Sequence, residues 1–252
     1  MRNYFKRIIS GAKTWELVFW WIFRIIMIFG MFMPLFRDKL PSFIQISKEI
    51  ELSQNLLQMG ANTLVMFLWE IFMMFPEKSF FRQIPSYVQD VSVPFTFSTA
   101  FCGAFLNMYY SLWWWDSMLH TLGAFIGVLA GYEFICCLQK RDKCVVNLPI
   151  ALFAAFGFCF VFGTAWELFE FGYDQIAGGD SQHWSAALAQ EGYRTLFPQL
   201  SPDRFALMDT MGDTVCNSVG AVIGYIFIKV FPYHHRGKYD LNKKFRVPGS
   251  EF

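Results

Sequence analysis

The chain has 252 residues, 55% of them hydrophobic, 20% aromatic and only 16% charged, with a formal net charge of +1. A soluble globular chain carries about a quarter charged residues; here the apolar residues fall in long runs, which points to a bilayer as solvent. The near-zero charge and the lack of any basic region with interleaved aromatics give no nucleic-acid surface. No G-x-S-x-G, Walker A, H-E-x-x-H or dinucleotide fingerprint is present.

Taken in chain order, six segments of about 20 apolar residues are long enough to cross a bilayer as helices. The first, roughly 15–36, follows a basic start (Arg2, Lys6, Arg7, Lys13). It is too long for a signal-peptide core and lacks a small-residue cleavage site, so it is expected to be retained. A polar, partly helical stretch at 37–54 leads to the second segment, 55–76. Its Glu70 is expected to pair with Arg24 of the first, because a buried charge needs a partner. The third segment, 91–111, ends near Tyr109, Tyr110 and Trp113–Trp115, an interfacial aromatic belt. The fourth and fifth are 114–138 and 148–171. A longer loop, 172–208, carries the turn signals Gly178-Gly179-Asp180 and Ser201-Pro202-Asp203 before the sixth segment, 209–231, and a basic tail, 232–252. The expectation is one transmembrane domain over 1–252: an all-α, polytopic integral membrane helix bundle. The six cysteines form no C-x-x-C pair and read as reduced, small hydrophobes.

Lys and Arg counts set the orientation. With the N-terminus in the cytoplasm, fifteen fall on inside segments and five on outside ones, with Arg24 within a span. Both termini are therefore expected to be cytoplasmic, and the basic tail to face anionic membrane lipid.

This topology gathers seven acidic or histidine side chains at the outer leaflet. Asp116 and His120 lie one turn apart on the fourth segment. Glu167 and Glu170 share a face of the fifth, with Asp174 continuing their line. Asp209, Asp213 and Asn217 form one stripe of the sixth. Glycines at four-residue spacing (Gly123, Gly127 and Gly131; Gly220 and Gly224) extend two of these stripes, so the polar faces should turn into the bundle where backbones approach closely. Carboxylates near hydrocarbon are costly unless paired, hydrated or metal-bound. One imidazole among several carboxylates suits a divalent metal: the oxygens favour Mg or Mn, and the histidine admits Zn or Fe. His120, Glu167, Glu170 and Asp213 are the leading ligands, with Asp116, Asp209 and Asp174 beside them and Asn217 a candidate substrate contact. A proton relay and a structural hydrogen-bonded cluster are the alternatives.

The order D-x-x-x-H (Asp116, His120), W-E-x-x-E-x-x-x-D (Trp166, Glu167, Glu170, Asp174) and D-T-x-x-D (Asp209, Thr210, Asp213) resembles the YjdF-like family of bacterial inner-membrane proteins over residues 60–230. The Asp-x-x-x-His at a helix start is also distantly similar to VanZ-type proteins. The resemblance implies a small multi-pass protein of the bacterial cytoplasmic membrane and supplies no activity. The leading functional expectation, carried by the constellation, is a metal-dependent membrane enzyme acting on a lipid-linked or envelope substrate. A transporter or proton-coupled permease and a structural or accessory protein are the competing classes.

Overall fold

A computed structural model describes residues 8–9, 11–39, 52–142, 146–177, 181–182 and 204–230. The basic tail 232–252, the stretch 40–51 and the turns at 178–180 and 201–203 lie outside the described residues. All regular structure among the described residues is helical. Four helices are long and apolar enough to cross a membrane, at Thr14–Phe36, Trp115–Gln139, Leu148–Ile176 and Ala206–Val230. The expected single domain packs as two compact units, Met1–Leu112 and Trp113–Phe252.

In the first unit α1 (Thr14–Phe32) runs on into a 3-10 stretch, Met33–Lys39. The expected spans 55–76 and 91–111 are helical but interrupted. The former is α2 (Leu52–Val65) and a short α3 (Leu68–Phe72). The break frees the Met66 carbonyl, which accepts hydrogen bonds from Arg24 Nη2 at 2.6 Å and from the Gln89 side-chain amide. Broken helices persist in apolar surroundings only where neighbours satisfy the freed backbone in this way. The expected Arg24–Glu70 pair is present at 2.7 Å, with the Arg24 guanidinium 3.9 Å above the Phe67 ring.

The third expected span is α4 (Tyr87–Phe97), a π-helical stretch at Ser98–Phe105 and α5 (Met108–Ser111). Pro94 lies inside α4 and has no N–H to donate. The Leu106 N–H then reaches the Phe101 carbonyl five residues back, and Asn107 takes a left-handed φ of 62°. Trp20, Met27, Met59, Met66, Trp69 and Val93 are buried in this unit's core.

The second unit is built from α6 (Trp115–Asp142), α7 (Leu148–Ala177) and α8 (Phe205–Val230). Helix α6 is the centre: it packs along both α7 and α8, which touch each other less. Glycine makes both contacts close. A Cβ on Gly220 would overlap the Thr121 carbonyl, and one on Gly131 would come within 2.9 Å of the Phe158 Cβ. Ala124, Val128, Ala155, Cys159 and Ala221 fill the space between. Outward positions of α7 are strongly apolar, with Phe153 78% and Ile176 90% exposed. Apolar exposure on this scale suits contact with lipid rather than water.

Candidate metal centre

Helix α6 begins where α7 ends and α8 begins, so the polar stripes of all three meet at one end of the second unit. Asp116 occupies the first turn of α6, where the helix dipole favours a negative charge. One turn on, the His120 ring lies between the other two helices. Its Nε2 is 3.6 Å from Asp116 Oδ1 and 3.7 Å from Asp213 Oδ2 of α8; its Nδ1 is 3.8 Å from Glu167 Oε1 of α7. These separations are too long for strong hydrogen bonds and leave the groups converging on shared space.

Two overlapping groups result. One ligand atom from each of His120, Glu167, Glu170 and Asp213 lies within 4.8 Å of the others, and the same holds for Asp116, Asp209 and Asp213. Ligands to a single ion stand about 2.0–2.6 Å from it. Atoms on opposite sides are then about 4–5 Å apart, so either set fits around one cation. Asp213 belongs to both sets and is only 2% exposed.

Glu167 Oε1 and Oε2 and Asp213 Oδ2 are buried and make no close hydrogen bond among the described residues. An unmet buried carboxylate oxygen is expensive, and two neighbouring carboxylates repel unless a cation lies between them. The donor set, one imidazole with several carboxylates, fits Mn, Fe or Zn, and its oxygens alone would fit Mg.

Glu170 is held by a feature that sequence reasoning passed over: the Trp166 indole N–H donates to Glu170 Oε1 at 2.8 Å. The four-residue spacing within Trp166-Glu167-Leu168-Phe169-Glu170 is the signal that reveals it. Asp174, expected beside the ligands, is used otherwise. Its two carboxylate oxygens accept the backbone N–H groups of Ser181 at 2.7 Å and Gln182 at 2.9 Å. Gln182 in turn donates from Nε2 to Thr210 Oγ1 at 2.9 Å, so Asp174 ties the loop after α7 to α8.

Asn217 borders the cluster at Glu167. It lines a crevice of about 340 Å³ between α7 and α8, together with Glu167, Thr210 and Thr214. The two glutamates, two aspartates of α8, Asp116 and His120 are therefore brought together; Asp174 and Asn217 are its neighbours.

Comparison with known proteins gives no chemistry for this arrangement. The chain is 31% identical over 100 residues to an uncharacterized protein of Thermotoga maritima, covering 40% of this chain and 50% of that relative. It thus spans about half the length of the curated relative it matches. No solved structure matches significantly. A family profile described as a predicted membrane protein (DUF2238) matches residues 43–234, which include every residue of the cluster. The chain belongs to this family of predicted membrane proteins.

Proposed function

We propose that the cluster at the meeting of α6, α7 and α8 holds a divalent metal ion, and that the protein is a metal-dependent membrane enzyme acting on a lipid-linked or envelope substrate. The observation that carries this reading is the convergence of His120, Glu167, Glu170 and Asp213 within 4.8 Å, with three of their carboxylate oxygens buried and short of close hydrogen bonds among the described residues. A cation would satisfy all three at once. When bound, it would supply Lewis-acid polarisation of a phosphoryl or carbonyl oxygen and lower the pKa of a coordinated water.

The protein's own groups would orient that chemistry. Trp166 fixes the Glu170 carboxylate, and Asp116 and Asp209 stand beside Asp213 to receive a proton or a second ion. A purely structural cluster is less well supported, because the His120 contacts to Glu167 and Asp213 are too long to close a hydrogen-bonded network. Transport is also less well supported. Past Asn217 the described core of this unit is mostly small and apolar, at Ala124, Val128, Ala155, Cys159 and Ala221, and its buried polar groups there are the Tyr132 hydroxyl and Gln139, both on α6.

The same proposal takes the site to face outward from a bacterial inner membrane crossed several times, with both chain termini cytoplasmic. The similarity to YjdF-like and, more distantly, VanZ-type proteins is part of it. Elemental analysis of purified protein tests the metal. Wild type is expected to carry Mg, Mn, Zn or Fe in stoichiometric amount, and the His120→Ala, Glu167→Gln double variant to carry none. Absence of metal from wild type after incubation with all four ions would end the proposal.

A further inference from the structure

We infer that the crevice between α7 and α8 seats one hydrocarbon chain of a membrane lipid, with the lipid's phosphate directed to the acidic cluster. This deepens the enzyme reading by naming its substrate class, and it rests on the metal reading only for the headgroup. The crevice, of about 340 Å³, falls within the roughly 300–1,000 Å³ of small-molecule sites.

Two stripes form its walls. On α7, Phe160, Thr164, Glu167 and Phe171 recur every three or four residues; on α8, Thr210, Thr214 and Asn217 do the same. The crevice therefore runs along the helix axes on both sides of Glu167, from Phe171 and Thr210 near the helix ends to Phe160 and Asn217 deeper in the spans. Gly163 keeps it open: a Cβ there would stand 3.3 Å from Asn217 Nδ2. Its flank is exposed at Thr164, at Leu168 (66%) and at Phe171 (51%), which gives lateral access along helices of membrane-spanning length.

The chemistry of the walls selects the occupant. Phe160, Leu168 and Phe171 offer apolar surface to a chain, while the Asn217 amide offers hydrogen bonds to ester or hydroxyl oxygens. Among the described residues no Lys or Arg lines the crevice. An anionic head beside this many carboxylates would be repelled, so its charge must be met by the bound cation. Chain binding is thus a property of the crevice alone, and phosphate binding a property of the crevice with its metal.

Photolabelling tests this on the full-length protein in nanodiscs of phosphatidylethanolamine and phosphatidylglycerol. A few per cent of the phosphatidylglycerol carries a mid-chain diazirine, and labelled residues are mapped by mass spectrometry. Phe153, 78% exposed on the same helix but outside the crevice, reports ordinary lipid contact. Labelling along Phe160, Thr164 and Leu168 is expected to exceed that at Phe153 at least fivefold with Mn²⁺ present. The excess should vanish in Thr164→Trp, which fills an exposed edge of the crevice, while Mn²⁺ binding is retained. Equal labelling at the crevice and at Phe153, or an excess that survives Thr164→Trp, overturns the inference. Failure of the metal reading looks different: the excess would remain and be unchanged by EDTA, with no Mn²⁺ bound at all.

Discussion

Replacing Asp213 by Asn removes the one carboxylate common to both ligand groups while keeping side-chain volume. In the ion-free protein this substitution should not weaken the fold. Two unit charges 4.8 Å apart repel by about 3.5 kcal/mol at an effective dielectric of about 20, so neutralising Asp213 relieves strain wherever its neighbours are ionised. Ion binding should respond in the opposite direction. Loss of a group that only orients a metal ligand costs about 10–100-fold in affinity, and a direct ligand is expected at or beyond the upper figure.

At an ion concentration 100 times the wild-type dissociation constant, binding stabilises the wild type by about 2.7 kcal/mol. A 100-fold weaker variant at the same concentration gains about 0.4 kcal/mol. For a chain of this size that corresponds to roughly 5–10 °C of melting shift in wild type against about 1 °C in Asp213→Asn. Differential scanning fluorimetry in detergent, with and without Mn²⁺, reads both quantities. A variant that melts well below wild type without ion, yet shows the full Mn²⁺ shift, would make Asp213 a structural residue and not a ligand.

Other substitutions separate the site from its scaffold. Gly220→Val drives a side chain into the Thr121 carbonyl and should destabilise the α6–α8 contact by about 1–3 kcal/mol or more, seen as a lower melting temperature and weaker Mn²⁺ binding together. Arg24→Met leaves Glu70 buried without its partner, a loss of about 3–5 kcal/mol; adding Glu70→Met should recover most of it, and a double variant no better than the single would sink the ion-pair account. Asp174→Ala removes the acceptor for two loop N–H groups. It should expose the loop to proteolysis beyond Ala177 while changing Mn²⁺ affinity less than about threefold, whereas a loss near the 100-fold scale of a true ligand would return Asp174 to the metal.

Much of the site was legible because helical spacing is a strong constraint. Asp116 and His120, Glu167 and Glu170, and Asp209 and Asp213 each fall on one face by their three- or four-residue separations. The glycine stripes then show which way those faces turn: Gly220 against Thr121 and Gly131 against Phe158 are the close approaches that four-residue glycine spacing foretells. The Arg24–Glu70 pair was legible for a different reason, since each is the lone deep charge of its segment.

What escaped the sequence depends on local departures from regular helix. Hydropathy averages over a window and registers neither the break after Val65 nor the π-helical turn at Ser98–Phe105. Both are fixed by distant or irregular partners, such as the Met66 carbonyl meeting Arg24 and Gln89. Asp174 looked like a ligand because it continues the α7 stripe. Its actual partners, the Ser181 and Gln182 N–H groups, depend on a loop path that periodicity cannot report.

One cation is expected among His120, Glu167, Glu170 and Asp213. Anomalous diffraction from crystals grown with Mn²⁺, recorded near the manganese edge, tests it most directly. A single strong peak is expected about 2.0–2.6 Å from ligand atoms of these four residues, lost in Asp213→Asn. A peak only at surface carboxylates, or none in a wild-type crystal that diffracts well, would contradict it.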